Sequence, residues 1–123
     1  MTLAINKIMI IAREFTFDSA HKLTWHKGKC KNLHGHTYIL QVWIKDKLSK
    51  NGVVLDFKEL DIIVKKEIIE KLDHKYINKI IKNPTAENMC IWIWDRLKKE
   101  LKNIYEIRLW ENQKSFVVYN GDN

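Results

Sequence analysis

The chain has 123 residues, enough for one compact core and too few for two ordinary domains. Hydrophobic residues make up 46% and charged residues 30%, which argues against a disordered chain, and no apolar run approaches the ~20 residues of a membrane span. Lys and Arg outnumber Asp and Glu by 22 to 15, a net charge of +7 that favours anionic partners without choosing among a phosphorylated small molecule, a nucleic acid and an acidic surface. The start of the chain has no signal-peptide pattern, and residues 1–8 read as a loose extension of a single domain spanning 1–123. Two cysteines, Cys30 and Cys90, are too few for a disulfide framework, so a cytoplasmic setting is expected.

In chain order, Ile8 to Phe17 ends in alternation, with Arg13, Phe15 and Phe17 on one side, and predicts a strand. Thr37 to Lys45 is β-branched and aromatic and predicts a second strand. After turn chemistry over Lys47 to Gly52, Val53 to Asp56 is expected to return as its hairpin partner. Leu60, Ile63, Val64, Ile68 and Leu72 recur at helical spacing and predict an amphipathic helix of about four turns. Asn83-Pro84-Thr85 predicts a helix start, followed by the stripe Ala86, Cys90, Ile93, Trp94, Leu97 and Leu101. Ile104 to Glu111 and Ser115 to Tyr119 predict a closing hairpin around Asn112-Gln113-Lys114. The order β-β-β-α-α-β-β implies an α+β domain with helices on one face of an antiparallel sheet.

Three of the five histidines are placed as if for chemistry. His34 and His36 flank Gly35 at the start of the second strand, where residues two apart share a side and lie roughly 7 Å apart. His21 has the parity of Phe15 and Phe17 if the first strand runs on. Three neutral imidazoles with an open fourth position suit catalytic zinc; the alternative is a chance pair on a strand. Spacing alone does not make the three converge. Cys30 lies in a loop with Lys22, Lys27, Lys29 and Lys31, a setting that favours its thiolate. It is a base or nucleophile, a fourth zinc ligand, or a small buried hydrophobe. Cys90, on an apolar stripe, fits the last of these.

Asp73-His74 ends the first helix, either as an orienting pair or with His74 facing the helix dipole. Glu111 shares parity with Tyr105, Ile107 and Leu109, continuing an apolar face where a carboxylate is costly without a donor. A ligand with adjacent N–H groups would satisfy both oxygens; otherwise the strand ends and Glu111 turns to water.

Together these pieces resemble the 6-pyruvoyl-tetrahydropterin synthase superfamily, most closely its 6-carboxy-tetrahydropterin synthase branch in 7-deazaguanine (queuosine and archaeosine) biosynthesis. The resemblance rests on Phe15-Thr16-Phe17-Asp18-Ser19-Ala20-His21, Cys30-Lys31-Asn32-Leu33-His34-Gly35-His36 and Val54-Leu55-Asp56-Phe57. It continues through Leu72-Asp73-His74-Lys75-Tyr76-Ile77-Asn78, Asn83-Pro84-Thr85-Ala86-Glu87-Asn88 and the late Glu111.

The resemblance implies Zn2+ on His21, His34 and His36, Cys30 as general base with Asp73 and His74 as relay, and Glu111 as the pterin's grip. Thr85 and Glu87 would line the pterin pocket. It further implies the tunnelling fold (T-fold), a four-stranded antiparallel sheet with two helices. The chains of such a fold form a homo-oligomer, commonly a hexamer built as a dimer of trimers, with sites at subunit junctions. The substrate would be 7,8-dihydroneopterin triphosphate, which suits the basic charge. The family's usual Glu-Thr is Glu111-Asn112 here, and Ile77-Asn78 replaces the frequent Leu-Asn. The folate-linked branch carries a glutamate in place of the loop cysteine; Cys30 is intact, so that branch is disfavoured. Pyruvoyl chemistry, which stops at 6-pyruvoyl-tetrahydropterin, uses the same residues. A zinc-stabilised RNA-binding module is the remote alternative, and the absence of a basic-aromatic RNP-like motif counts against it, so neither nucleic acid nor membrane is an expected partner.

Overall fold

The computed structural model describes residues 6–122. Of the expected loose extension over residues 1–8, residues 1–5 therefore lie outside the described part, and Ile8 already opens the first strand. β1 (Ile8–His21) and β2 (His34–Lys47) pair antiparallel along their whole length, from Ile8↔Lys47 to His21↔His34. β1 thus runs four residues beyond the expected Phe17, and the alternation that buries Phe15 and Phe17 also buries Ser19 and His21. The first helix comprises α1 (Phe57–Val64), a π-helical segment (Lys65–Ile69) and α2 (Glu70–Leu72). Its fully buried residues Leu60, Val64, Ile68 and Leu72 are spaced by four. Each such step overshoots an α-helical turn by about 40°, and the wider i→i+5 winding absorbs the drift and keeps the stripe on the sheet.

α3 (Ala86–Glu100) begins where Thr85 Oγ1 accepts from the Asn88 N–H, an N-cap that leaves Pro84 outside the helix. It packs Met89, Cys90, Ile93, Trp94 and Leu97 into the same core as Phe17, Tyr38, Leu40, Val42, Ile107 and Leu109 of the sheet. β4 (Ile104–Asn112) and β5 (Ser115–Tyr119) form the expected closing hairpin.

Two expectations are corrected. Val53 to Asp56 is not a strand: β2 is already flanked by β1 and β4 and has no edge to offer it. Val54 and Leu55 pack against the core instead, and Asp56 caps α1 by accepting from the Lys58 N–H. The sheet has five strands rather than four, in the order β3-β1-β2-β4-β5, and is not wholly antiparallel. β3 (Lys75–Tyr76) pairs parallel to β1 at Ser19 and Ala20. Two residues carry no period, so this strand leaves no trace in the sequence. It forms because His74 takes a left-handed backbone (φ 57°) that reverses the chain after α2, while its N–H donates to the Asp18 carbonyl.

Candidate metal and substrate site

The β1–β2 register builds the histidine cluster. His21 and His34 are cross-strand partners, Ser19 faces His36, and all three imidazoles project to the helix-covered side beyond the end of the packed core. His21 Nε2 lies 3.0 Å from His34 Nε2. The three rings meet edge to face, with centroids 4.6 to 5.2 Å apart. Glu111 arrives from β4 at a bulge, where Trp110 and Asn112 pair with the adjacent β5 residues Phe116 and Ser115 and Glu111 is left over. Its Oε1 lies 3.3 Å from His36 Nε2 and 3.5 Å from His21 Nε2. Ligand atoms of His21, His34, His36 and Glu111 all fall within 4.8 Å of one another, a geometry that can hold a metal ion.

The tautomers follow from the outer hydrogen bonds. His21 Nδ1 donates to the Pro84 carbonyl at 2.8 Å, and His34 Nδ1 donates to the Asn32 carbonyl at 2.8 Å. With both protons on Nδ1, two Nε2 lone pairs face each other at 3.0 Å, an arrangement that a metal ion on both nitrogens, or a proton shared between them, relieves. His36 Nε2 is buried without a hydrogen-bond partner. Burial lowers the His36 pKa and keeps the ring neutral, as a metal ligand requires. Tyr38, stacked on Phe17 beneath the cluster, has its hydroxyl 3.4 Å from His21 Nδ1, and burial pushes its pKa up. The donor set, three neutral imidazoles and a carboxylate with outer carbonyl partners, fits a divalent cation such as zinc.

The other expected residues stand apart from this cluster. Asp73 and His74 pair at 3.0 Å (Oδ2 to Nδ1), and Asp73 Oδ1 accepts from the Asp18 N–H at 2.9 Å, which lowers the Asp73 pKa. With Asp18 they form a second group of potential ligand atoms. His74 is 78% exposed, an accessible imidazole held beside Asp73. Cys30 belongs to neither group; it sits half-buried in the short 3₁₀ turn Lys29–Lys31, its carbonyl accepting from the Leu23 N–H at 2.7 Å. Within one chain its thiol therefore does not join the histidine cluster. Cys90 is buried on α3, its pKa pushed up to about 12, and plays only a packing part. Thr85 serves as the α3 cap and Glu87 is exposed in the first turn.

A cleft of about 510 Å³ opens beside the second group, lined by Asp18, Ala20, Thr37, His74 and Tyr76 among others; it touches the histidine cluster only at His36. That volume suits a bicyclic small molecule. Asp18 was the residue missed from sequence: its carboxylate accepts from the Thr37 hydroxyl at 2.5 Å, and its main chain bonds both Asp73 and His74. The carbonyls of Pro84 and Asn32 were missed as well, and backbone acceptors leave no residue-type signal.

A five-stranded sheet with its helices on one face and a histidine cluster at its end is the T-fold. The 6-pyruvoyl tetrahydropterin synthase of Caenorhabditis elegans superposes with a TM-score of 0.85 over 94% of this chain and 96% of that one, at 24% identity. The family model for 6-pyruvoyl tetrahydropterin synthase matches residues 10–122, and the chain belongs to this family of lyases. It is 42% identical to a 6-carboxy-5,6,7,8-tetrahydropterin synthase of Haemophilus influenzae, over 89% of this chain and 96% of the relative. It is 35% identical to a 6-pyruvoyl tetrahydrobiopterin synthase of Dictyostelium discoideum, over 96% of this chain and all of the relative.

Proposed function

We propose that the chain is a zinc-dependent lyase that converts 7,8-dihydroneopterin triphosphate and water to 6-carboxy-5,6,7,8-tetrahydropterin, triphosphate and acetaldehyde, in 7-deazaguanine biosynthesis. The observation that carries the metal reading is the pair of Nε2 lone pairs facing each other at 3.0 Å, each fixed by an outer carbonyl. The similarity to the Haemophilus enzyme supports the carboxy product. His21, His34 and His36 hold the zinc, which supplies Lewis acidity at the substrate's side-chain hydroxyls. Glu111 accepts the paired N–H groups of the pterin edge, with Thr85 and Glu87 at the pocket wall. Cys30 thiolate takes a side-chain proton, and His74, oriented by Asp73, returns it at the neighbouring carbon. The basic charge of the Cys30 loop draws in the triphosphate.

Cys30 and the Asp73–His74 pair stand outside the histidine group of one chain, which supports completion of the site between subunits. An exposed edge strand with Phe116 and Val118 outward supports the same ring, a hexamer of two trimers. Two free thiols suit a cytoplasmic setting; no helix among the described residues is long and apolar enough to cross a membrane.

Mass spectrometry of the products from dihydroneopterin triphosphate tests the reading. Appearance of 6-carboxy-tetrahydropterin with acetaldehyde is expected. Accumulation of 6-pyruvoyl-tetrahydropterin would assign the chemistry of the Dictyostelium relative instead, and recovery of unchanged substrate from the zinc-loaded protein would overturn both.

A further inference from the structure

β3 pairs with β1 at Ser19↔Lys75 and Ala20↔Tyr76. Continued two residues, that register would set Lys22 opposite Asn78, an offset of 56 positions. The β3 backbone has already turned into the 3₁₀ segment Ile77–Lys79, so no strand is there to pair. The Asn78 carboxamide takes its place. Its Oδ1 accepts from the Lys22 N–H at 2.9 Å, and its Nδ2 donates to the Lys22 carbonyl at 2.9 Å. One primary amide thus gives Lys22 both bonds that a continuing strand would give it.

Lys22 directly follows the buried ligand His21, and Leu23 after it donates to the Cys30 carbonyl. The clamp therefore fixes, through consecutive peptides, one end of the cysteine loop and the backbone that carries His21. Its own backbone follows the Asp73–His74 turn by way of β3. We propose that Asn78 is a positioning residue for the reaction, holding His21 in ligand geometry and setting the cysteine loop relative to the relay turn. This rests on the proposed zinc-dependent reaction. Other side chains cannot replace it: Asp has no donor, Ser and Thr cannot span both groups, and Gln is one methylene longer.

The test uses the full chain with Asn78→Ala and Asn78→Asp, and three readouts taken well below the melting transition. These are amide hydrogen exchange at Lys22, zinc affinity by competition with a chelator, and kcat and KM with dihydroneopterin triphosphate. In Asn78→Ala, Lys22 exchange should speed at least tenfold, zinc affinity should fall about tenfold or more, and kcat should fall more than KM rises. Asn78→Asp keeps the acceptor for the Lys22 N–H and should be intermediate in all three. A plain fold staple would lower Tm alone; zinc affinity and kcat unchanged in both variants would overturn the role while leaving the reaction intact. Failure of the unsubstituted chain to take up zinc would instead overturn the functional reading, and this one with it.

Discussion

Replacing Glu111 by Gln keeps the side chain's shape while removing its charge and turning one acceptor into a donor. The carboxylate sits at the β4 bulge, 28% exposed, with Oε1 within 3.5 Å of the Nε2 atoms of His21 and His36. If the pterin's ring N–H groups bind this carboxylate, each charge-assisted bond contributes about 1.5–3 kcal/mol, and partial exposure argues for the lower end. A loss of about 1.5–2 kcal/mol corresponds to a roughly 10- to 30-fold fall in kcat/KM. The assay is steady-state turnover of dihydroneopterin triphosphate, with elemental zinc measured on the same preparation. Zinc should remain at one per chain, because three imidazoles suffice to hold it. Near-normal kcat/KM would mean that the pterin is gripped elsewhere. Zinc lost together with activity would make Glu111 a fourth ligand, as its 3.3 Å approach to His36 Nε2 permits, and would refute the pterin-binding role.

Further expectations follow from other parts of the molecule. His34→Ala and His36→Ala should each lose the zinc, whereas Cys30→Ala should keep it and lose turnover; metal loss from the Cys30 variant would make the thiol a ligand. Asp61 bonds Lys65 and Arg13, which lowers its pKa from the ordinary 3.8. A depressed carboxylate stabilises above its unfolded pKa and stops doing so as pH falls through the folded one, so the loss of Tm in Asp61→Asn should be full at pH 7, begin to shrink as pH falls below about 4 and vanish below the depressed folded value. A Tm difference that persists undiminished at pH 2 would contradict this linkage. Gly121 has φ 75°, and a β-carbon there would meet the Trp94 ring at 2.4 Å. Gly121→Ala should therefore lower Tm by at least about 4 °C in a circular-dichroism melt, and an unchanged Tm would mean the tail does not pack on Trp94. Static light scattering at micromolar concentration should report a hexamer, and a monomer would contradict the shared site.

Period and chemistry were enough to read the long elements. Alternation through Phe15 and Phe17 was already pointing His21 to the buried side, the four-spaced Leu60 to Leu72 stripe carried a helix, and Gly35 between two histidines kept both on one face. Parity likewise put Glu111 in line with Leu109, because a strand's two faces are written into every second residue. Convergence was another matter. That His21 meets His34 at 3.0 Å depends on the β1–β2 register, which closes across a twelve-residue loop and is set by the burial of the entire shared face. The β4 bulge that frees Glu111, the two-residue β3 and the left-handed His74 are products of strand pairing at the sheet's ends, where one or two residues carry no period of their own. The same limit hid the carbonyls of Pro84 and Asn32, which set the tautomers of the metal-facing rings. Every residue has such a carbonyl, and only the folded chain decides which of them an imidazole will reach.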